Sequence, residues 1–157
     1  MAHLHTALIR WQAGDADVLG RRYSRAHTWT FDGGVVVPAS SSPHVVPVPM
    51  SDPGAVDPEE AFVAALSSCH MLWFLDIASR AGLAVQSYED AADGRMGRNE
   101  AGKLVVERVT LRPRVRFAAA SSAPDAATLA ALHHQAHAEC FLANSVRCEI
   151  RCEPVPE

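Results

Sequence analysis

The alternation of apolar and polar residues predicts that strands and helices occur in mixed order along this chain. Residues 3–12 predict a first strand, and residues 22–31 predict a second one whose successive side chains fall on two faces. The Asp-Gly-Gly triplet at 32–34 is typical of a hairpin turn, so residues 35–37 are expected to form the return strand. Residues 38–54 are rich in Pro and Ser, which predicts a long loop.

The longest apolar run follows this loop and predicts a helix over residues 58–80. Asp57 suits the N-cap position, Glu60 completes a capping box three residues later, and Gly82 is the expected stop signal. The helix is apolar nearly all round, so we expect it to be buried on every side. Because Asp57 and Asp76 bracket the apolar run, we expect no membrane span.

The second half of the chain predicts further strands, another helix and a final strand. Residues 84–97 and 103–117 are expected to be two strands joined by a turn. Residues 124–142 predict a second helix, which starts at a Pro-Asp pair. Residues 145–153 alternate cleanly, and the inward-facing positions are Val146, Cys148, Ile150 and Cys152. This order of elements predicts an α+β fold in which two helices cover a mainly antiparallel sheet.

Length and charge restrict the class of protein. The chain has 157 residues, enough for one domain, which we expect to span residues 1–157. With 14 basic and 18 acidic residues the net charge is -4, so we expect no nucleic-acid partner. The first residues lack the basic-then-apolar order of a signal peptide, so we expect a cytoplasmic location. Four cysteines in a cytosolic chain indicate redox chemistry, metal binding or packing rather than a disulfide scaffold.

Two cysteines lie in the predicted helices, and one of them, Cys69, is in the middle of the apolar run. A buried thiol is inert unless a neighbouring cation offsets its loss of hydration. Arg25, on the aromatic face of the second strand, is the candidate cation, and Glu59 is the carboxylate that a buried arginine needs. Together with Cys140 of the second helix, these residues are consistent with a peroxidatic site. The residues alone leave both the inert and the reactive interpretation open.

The histidines and the remaining cysteines offer a second kind of chemistry. His133, His137 and Cys140 follow one another at i, i+4 and i+7, so they share one helix face. This spacing occurs in His/Cys metal sites, but it also fits a partly exposed helix face, and we expect no metal. Cys148 and Cys152 are too far apart along one strand to pair, so we interpret them as packing residues.

Two cysteine-containing segments together give the chain a resemblance to a known family. Residues 57–60, Asp-Pro-Glu-Glu, lead through small and apolar residues to Cys69, and residues 136–140 read Ala-His-Ala-Glu-Cys. Both segments resemble those of the OsmC/Ohr family, the osmotically inducible protein C-like and organic hydroperoxide resistance proteins. The order of strands and helices also agrees, so the resemblance covers nearly the whole chain.

The resemblance implies an OsmC-like fold: an intertwined homodimer in which mainly antiparallel sheets wrap around two long central helices. It implies a peroxidatic role for Cys69, a resolving role for Cys140 and the family's glutamate role for Glu59. The family's arginine comes from the early strand or from the loop before it. In this chain three arginines lie there: Arg21, Arg22 and Arg25. We assign the role to Arg25, which shares the aromatic face.

The same resemblance implies a peroxiredoxin-like organic hydroperoxide reductase, a thiol-dependent peroxidase without a cofactor. Cys69 is expected to become a sulfenic acid and then to form a disulfide with Cys140, which a dithiol of the lipoyl type reduces. This chain departs from the family at Phe141, where proline is common, at His70, and in the Pro-rich segment 38–56. The alternative is a non-catalytic OsmC-like protein that binds a small apolar ligand.

Overall fold

A computed structural model describes residues 3–119 and 123–156, and these residues form eight strands, two α-helices and one 3-10 helix. The strands are β1 (Ala7–Arg10), β2 (His27–Phe31), β3 (Val36–Ala39), β4 (Val85–Asp90), β5 (Asp93–Arg98), β6 (Leu104–Leu111), β7 (Pro113–Phe117) and β8 (Glu149–Cys152). The helices are α1 (Pro58–Arg80), α2 (Ala126–Glu139) and the 3-10 helix Ala143–Ser145. The described residues up to 61 and those from 62 onward form two compact units, called the first and the second unit below. The predicted α+β class is confirmed.

The first unit contains the antiparallel sheet β1–β2–β3. Its second strand begins at His27, so the prediction of a strand from residue 22 is wrong over its first half. The Arg22 backbone N–H donates to the Asp17 carbonyl at 2.9 Å, which forms a turn instead of a strand. The backbone N–H of Arg25 donates to the Met50 carbonyl at 2.8 Å. Arg25 therefore lies in the approach to β2, not within it.

Backbone hydrogen bonds hold the base of the Pro-rich loop. β3 continues to Ala39, beyond the predicted return strand. The Ser40 N–H donates to the Val56 carbonyl, and the Val56 N–H donates to the Pro38 carbonyl, both at 3.1 Å. The Ser40 hydroxyl accepts the Asp52 N–H at 3.0 Å. The loop is thus closed just before the chain enters α1.

Local contacts define both ends of α1, as the sequence predicts. The Asp57 carboxylate accepts the Glu60 N–H at 2.8 Å, and the Glu60 carboxylate accepts the Asp57 N–H at 3.2 Å. This reciprocal pair is a capping box. At the other end Gly82 adopts a φ of 75°, and the Leu83 N–H donates to the Ala78 carbonyl at 2.9 Å. A glycine with positive φ and this backbone bond form a Schellman motif, which ends the helix.

Only one stripe of α1 is buried, although the sequence predicts burial on every side. The buried side chains are Leu66, His70, Phe74, Ile77 and Ala78. Most are three or four residues apart, which defines one helix face. Leu72, on another face, is 61 % exposed. The prediction of burial all round is therefore wrong for a single chain.

The expectation of no membrane-length run also needs correction. By length and composition alone, α1 is the one helix of the described residues that could cross a membrane. Asp76 lies within its last turns and does not shorten the apolar stretch enough to exclude this. Core helices of soluble proteins pass the same test, so one such helix is weak evidence for a membrane span.

The two long strands predicted for the second unit are each interrupted, so four strands form. β4 pairs with β7 and β5 with β6, both antiparallel, whereas β8 joins β6 in parallel. The interruption lies where the Asp90 carboxylate accepts the Arg112 backbone N–H at 2.6 Å. Arg112 also forms an ion pair with Asp93, and Pro113 has no N–H to donate to the ladder. These contacts divide one long hairpin into two sheets.

α2 and the strands of the second unit pack on the buried stripe of α1. Asp125 caps α2 by accepting the Thr128 N–H at 2.7 Å, and the helix ends at Glu139, before the predicted end near residue 142. Two apolar clusters result. The first contains Phe74, Ile77, Ala78, Val115, Leu132 and Ala136, and the second Leu66, Val109 and Leu111. α1 contributes to both clusters and is the central element of this unit.

Candidate functional site

Cys69 and Cys140 meet in the second unit. Cys69 lies midway along α1 and is half-buried, whereas Cys140 is the C-cap residue of α2 and is 1 % exposed. The thiols are close enough for the Cys69 side chain to raise the pKa of Cys140, and Trp73, one turn beyond Cys69, packs edge-on against Phe141 with ring centres 5.4 Å apart. Both cysteines are free thiols, like the other two cysteines of the chain. This closeness makes the pair the candidate for a disulfide, which forms between cysteines whose Cα atoms lie about 4.4–6.8 Å apart.

The end of α2 holds the Cys140 thiol in place. Cys140 leaves the helical conformation with a ψ of 113°, and its N–H donates to the His137 carbonyl at 3.3 Å. The side-chain amide of Asn144 donates to the Cys140 carbonyl at 3.0 Å and stabilises the turn that follows. The backbone N–H of Ala143 donates to the Cys140 sulfur at 3.4 Å. Cys140 therefore caps the helix, and the prediction that it lies within the helix is wrong.

Burial raises the pKa of the Cys140 thiol to about 11, and the Cys69 side chain acts in the same direction. The backbone N–H of Ala143 opposes the shift because it favours the thiolate. At neutral pH Cys140 is therefore a protonated thiol, and a protonated thiol is a poor nucleophile. A first attack on a substrate is better suited to Cys69, the more exposed of the two.

Arg25 is half-buried in the first unit and lies against an aromatic ring. Its guanidinium carbon is 3.8 Å from the centre of the Tyr23 ring, and the guanidinium donates to the Tyr23 carbonyl at 2.6 Å. The Arg25 carbonyl lies 2.7 Å from His27 Nδ1, and the Trp29 indole N–H donates to His27 Nε2 at 2.8 Å. Arg25 thus has the aromatic neighbours that the sequence predicts, although it precedes the strand.

The two neighbouring arginines differ from Arg25. Arg22 is exposed and forms an ion pair with Asp17 at 2.5 Å. Arg21 is also exposed and has a φ of 60°. An exposed cation keeps its hydration, so its effect on another group is weaker than that of a half-buried one. Arg25 therefore remains the candidate for the activating cation.

The four predicted site residues fall into two groups. Cys69 and Cys140 belong to the second unit, where their thiols meet. Arg25 and Glu59 belong to the first unit, and Glu59 is half-buried in the first turn of α1. The catalytic roles assigned to all four stay predictions.

A second polar cluster lies in the core of the second unit, and the sequence analysis did not find it. His70 Nε2 and His133 Nδ1 are 3.1 Å apart, and the Cys152 sulfur is 3.8 Å from His70 Nε2. The two imidazole planes are only 7° apart. One nitrogen or sulfur atom from each residue lies within 4.8 Å of the other two. We call His70, His133 and Cys152 the His-His-Cys cluster.

Burial determines the protonation state of this cluster. It lowers the pKa of His70 and that of His133 to about 4 each. It raises the pKa of the Cys152 thiol to about 12, and the carboxylates of Asp90 and Glu153 add to that rise. At neutral pH the cluster therefore holds two neutral imidazoles and one protonated thiol.

A pocket of about 320 Å³ adjoins the cluster. Its lining includes His133 and Cys152, together with the side chains of His134 and His137. Because His134 is exposed, this pocket connects the His-His-Cys cluster to the protein surface.

The three residues predicted to share one helix face, His133, His137 and Cys140, do not form one cluster. His133 contacts His70, whereas Cys140 lies beyond the helical residues. Cys152 packs against an apolar cluster, as predicted, but it also contacts His70. The signal that points to the cluster is a histidine within an almost wholly apolar helix. Such a residue needs a polar partner from elsewhere in the chain.

Comparisons with known proteins agree with this fold. The family model described as OsmC-like protein matches residues 51–154. Among solved structures, an OsmC-like protein of unknown function from Vibrio cholerae is 51% identical, and the match covers 98% of this chain and 100% of that chain with a TM-score of 0.95. No curated protein matches the chain.

Two organic hydroperoxide resistance proteins are similar in structure at low identity. The one from Elizabethkingia anophelis is 16% identical, with a TM-score of 0.71 over 100% of this chain and 97% of that chain. The one from Bacillus subtilis is 16% identical, with a TM-score of 0.66 over 99% of this chain and 98% of that chain. At this identity the likeness shows a shared fold.

Proposed function

Since this chain belongs to the OsmC-like family, we propose that it is a thiol-dependent peroxidase that reduces organic hydroperoxides. The observation that carries the proposal is the closeness of Cys69 and Cys140, which is supported by the effect of Cys69 on the pKa of the Cys140 thiol and by the contact of Trp73 with Phe141. Two proteins of similar fold are named organic hydroperoxide resistance proteins, which supports the same substrate class.

The proposed reaction begins at Cys69. Its thiolate attacks the outer oxygen of the hydroperoxide, the O–O bond breaks, and the substrate leaves as an alcohol after taking up a proton. Cys69 is thereby oxidised to a sulfenic acid. The Cys140 sulfur then attacks the Cys69 sulfur, a disulfide forms, and the hydroxyl group leaves as water with the Cys140 proton. A dithiol, which we propose to be of the lipoyl type, reduces this disulfide and becomes a disulfide itself.

We assign the activation of Cys69 to Arg25. A positive charge near the thiol would favour the thiolate and polarise the peroxide. The half-burial of Arg25 and its contacts with Tyr23 support this role, because a partly desolvated and well-held cation acts more strongly than a hydrated one. We assign Glu59 the role of a positioning residue that orients the guanidinium.

We further propose a cytoplasmic homodimer. Large apolar side chains stay exposed in the single chain, among them Ile9 of β1 at 56% and Leu72 of α1 at 61%. A second copy would remove such surface from water. Four free thiols fit a reducing compartment.

A thiol count tests the proposal. One equivalent of cumene hydroperoxide, added to the reduced protein, should consume two thiols per chain, and peptide mass spectrometry should locate the new disulfide between Cys69 and Cys140. Cys148→Ser is the matched control and should also lose two thiols. If the peroxide consumes no thiol, or reacts with Cys69 only slowly, the proposal is wrong, and the non-catalytic binding of an apolar ligand becomes the better account.

A further inference from the structure

The His-His-Cys cluster has no task in the peroxidase cycle proposed above. His70 Nε2 and His133 Nδ1 face each other, and the other ring nitrogens, His70 Nδ1 and His133 Nε2, are buried and have no hydrogen-bond partner among the described residues. Buried imidazoles in which one ring nitrogen lacks a hydrogen bond lower the free energy of unfolding. Apolar residues at these positions would avoid that loss. A costly polar cluster that adjoins a pocket is a candidate for ligand binding.

We propose that the His-His-Cys cluster binds a divalent transition-metal ion, and that Zn²⁺ fits it best. The ligand atoms are His70 Nε2, His133 Nδ1 and the Cys152 sulfur. Imidazole nitrogen and thiolate sulfur are the ligands that zinc prefers in proteins, and three protein ligands leave a fourth position for water or another group. This site is separate from the Cys69–Cys140 pair and does not depend on the peroxidase proposal.

The distances in the cluster fit such a site. In a tetrahedral zinc site two ligand nitrogens are about 3.3 Å apart, and a nitrogen and a sulfur are about 3.6 Å apart. The corresponding distances here are 3.1 Å between the imidazole nitrogens and 3.8 Å between His70 Nε2 and the Cys152 sulfur. Each of the three residues thus offers a ligand atom within 4.8 Å of those of the other two.

The packing and the charge around the three side chains favour the binding of a cation. His70 and His133 come from α1 and α2, and the Phe74 ring stacks on His133 with ring centres 4.3 Å apart. Neutral imidazoles need to lose no proton before they bind a metal. The Cys152 thiol does need to lose one, so each ion bound forms a metal–sulfur bond and releases one proton to solvent. The negative charge of nearby Asp90 raises the pKa of the thiol and would also favour a dication.

A cobalt titration tests the site. The full chain is used without an affinity tag, because a histidine tag binds the same ions. Reduced, metal-free protein should take up one Co²⁺ per chain and show thiolate-to-cobalt charge-transfer absorption, and Zn²⁺ should displace the cobalt. Cys152→Ser should abolish the charge-transfer band. Cys148→Ser removes a thiol four residues earlier in the chain, just before β8, and should leave the band unchanged.

Three outcomes would overturn the proposal. They are an absent band in the unmutated protein, a band that survives in Cys152→Ser, and a band that is lost in Cys69→Ser instead. Should Cys152→Ser fail to fold by circular dichroism, His133→Phe tests the same ligand set. It should abolish both the stoichiometric uptake of Co²⁺ and the rise in Tm that Zn²⁺ produces, whereas His44→Phe, a change at an exposed histidine of the first unit, should preserve both. Retention of both in His133→Phe would equally contradict the site.

Discussion

Cys69 and His70 are neighbours in the chain, yet they take part in two different groups of side chains. Cys69 is half-buried and meets Cys140, whereas His70 is 1 % exposed and meets His133 and Cys152. Successive residues of a helix point about 100° apart, so α1 can serve two groups from adjacent positions. The thiols of this chain therefore differ in exposure and in their partners, and we expect their reactivity to differ accordingly.

The largest effect on activity is expected at Cys69. Cys69→Ser should abolish the reduction of cumene hydroperoxide, because burial raises the pKa of the other three thiols, Cys140, Cys148 and Cys152. The measurement is the disappearance of hydroperoxide in the presence of a dithiol reductant. Cys148→Ser should keep the full rate. Activity above the uncatalysed background in Cys69→Ser would assign the chemistry to another thiol.

The next largest effect is expected at Arg25. Arg25→Met should slow the oxidation of Cys69 by at least about a hundredfold at neutral pH, because the thiolate loses a partly desolvated positive charge. Stopped-flow kinetics with a single equivalent of hydroperoxide measures this step, and circular dichroism checks that the fold is intact. Arg22→Met is the matched control, since Arg22 is exposed and paired with Asp17. A large effect of Arg22→Met and none of Arg25→Met would transfer the role to Arg22.

Glu59→Gln should have a smaller effect on the same step, about tenfold, because it loosens the position of the cation without removing the charge. A positioning role predicts that the loss appears in the rate of oxidation while the thiol count per chain stays at two. Glu60→Gln is not a suitable control, since Glu60 closes the capping box of α1. Glu139→Gln, at an exposed residue of α2, serves instead. If Glu59→Gln and Glu139→Gln behave alike, Glu59 does not position the cation.

Disulfide formation should become faster as the pH rises toward the pKa of the Cys140 thiol. Because burial raises the pKa of Cys140 to about 11, its thiolate is present above that pH and becomes scarcer below it. Each pH unit below 11 should therefore slow the attack on the sulfenic acid, by up to about tenfold. Quenching the reaction with acid at successive times and counting disulfides by mass spectrometry measures this rate. A rate that is constant between pH 7 and pH 10 would contradict the assignment of Cys140.

The smallest of the expected effects is on the oligomeric state, measured as the mass of the protein in solution. Sedimentation equilibrium at micromolar concentration should give twice the chain mass of 16.9 kDa. Association with a second copy would remove the exposed apolar surface at Leu72 of α1 from water. Leu72→Lys should shift the equilibrium toward the monomer, and Lys103→Ala, in a turn, should not. A stable monomer of the unmutated chain would exclude the homodimer.

Local signals made the ends of α1 predictable, and non-local contacts limited the rest. The capping box of Asp57 and the positive φ of Gly82 depend on residues within a few positions, so the sequence reveals them. The break between the sheets depends on Asp90 and Arg112, which are 22 residues apart in the chain. Alternation of apolar residues carries no information on such a contact. The strand that begins late differs, because the turn between Asp17 and Arg22 is local and takes the place of its first residues.

For the candidate site, the two cysteine segments could be identified as a pair, but the His-His-Cys cluster could not. His70 and His133 are 63 residues apart, and only the packing of α1 against α2 brings them together. From the sequence, His133 was more easily grouped with His137 on its own helix than with His70. Neighbours along one helix follow from periodicity, whereas partners across a core follow from tertiary packing.

The parallel pairing of β8 with β6 has a consequence for the order of events during folding. Cys152 lies on β8 and contacts His70, which is 82 residues away along the chain. Contacts of such long sequence separation require the closure of large loops, so they are expected to form late. A chain refolding in the presence of Co²⁺ should therefore regain its helical circular dichroism before its cobalt–thiolate absorption. The metal band would then report the completion of the tertiary structure, which far-ultraviolet signals of helix content do not resolve.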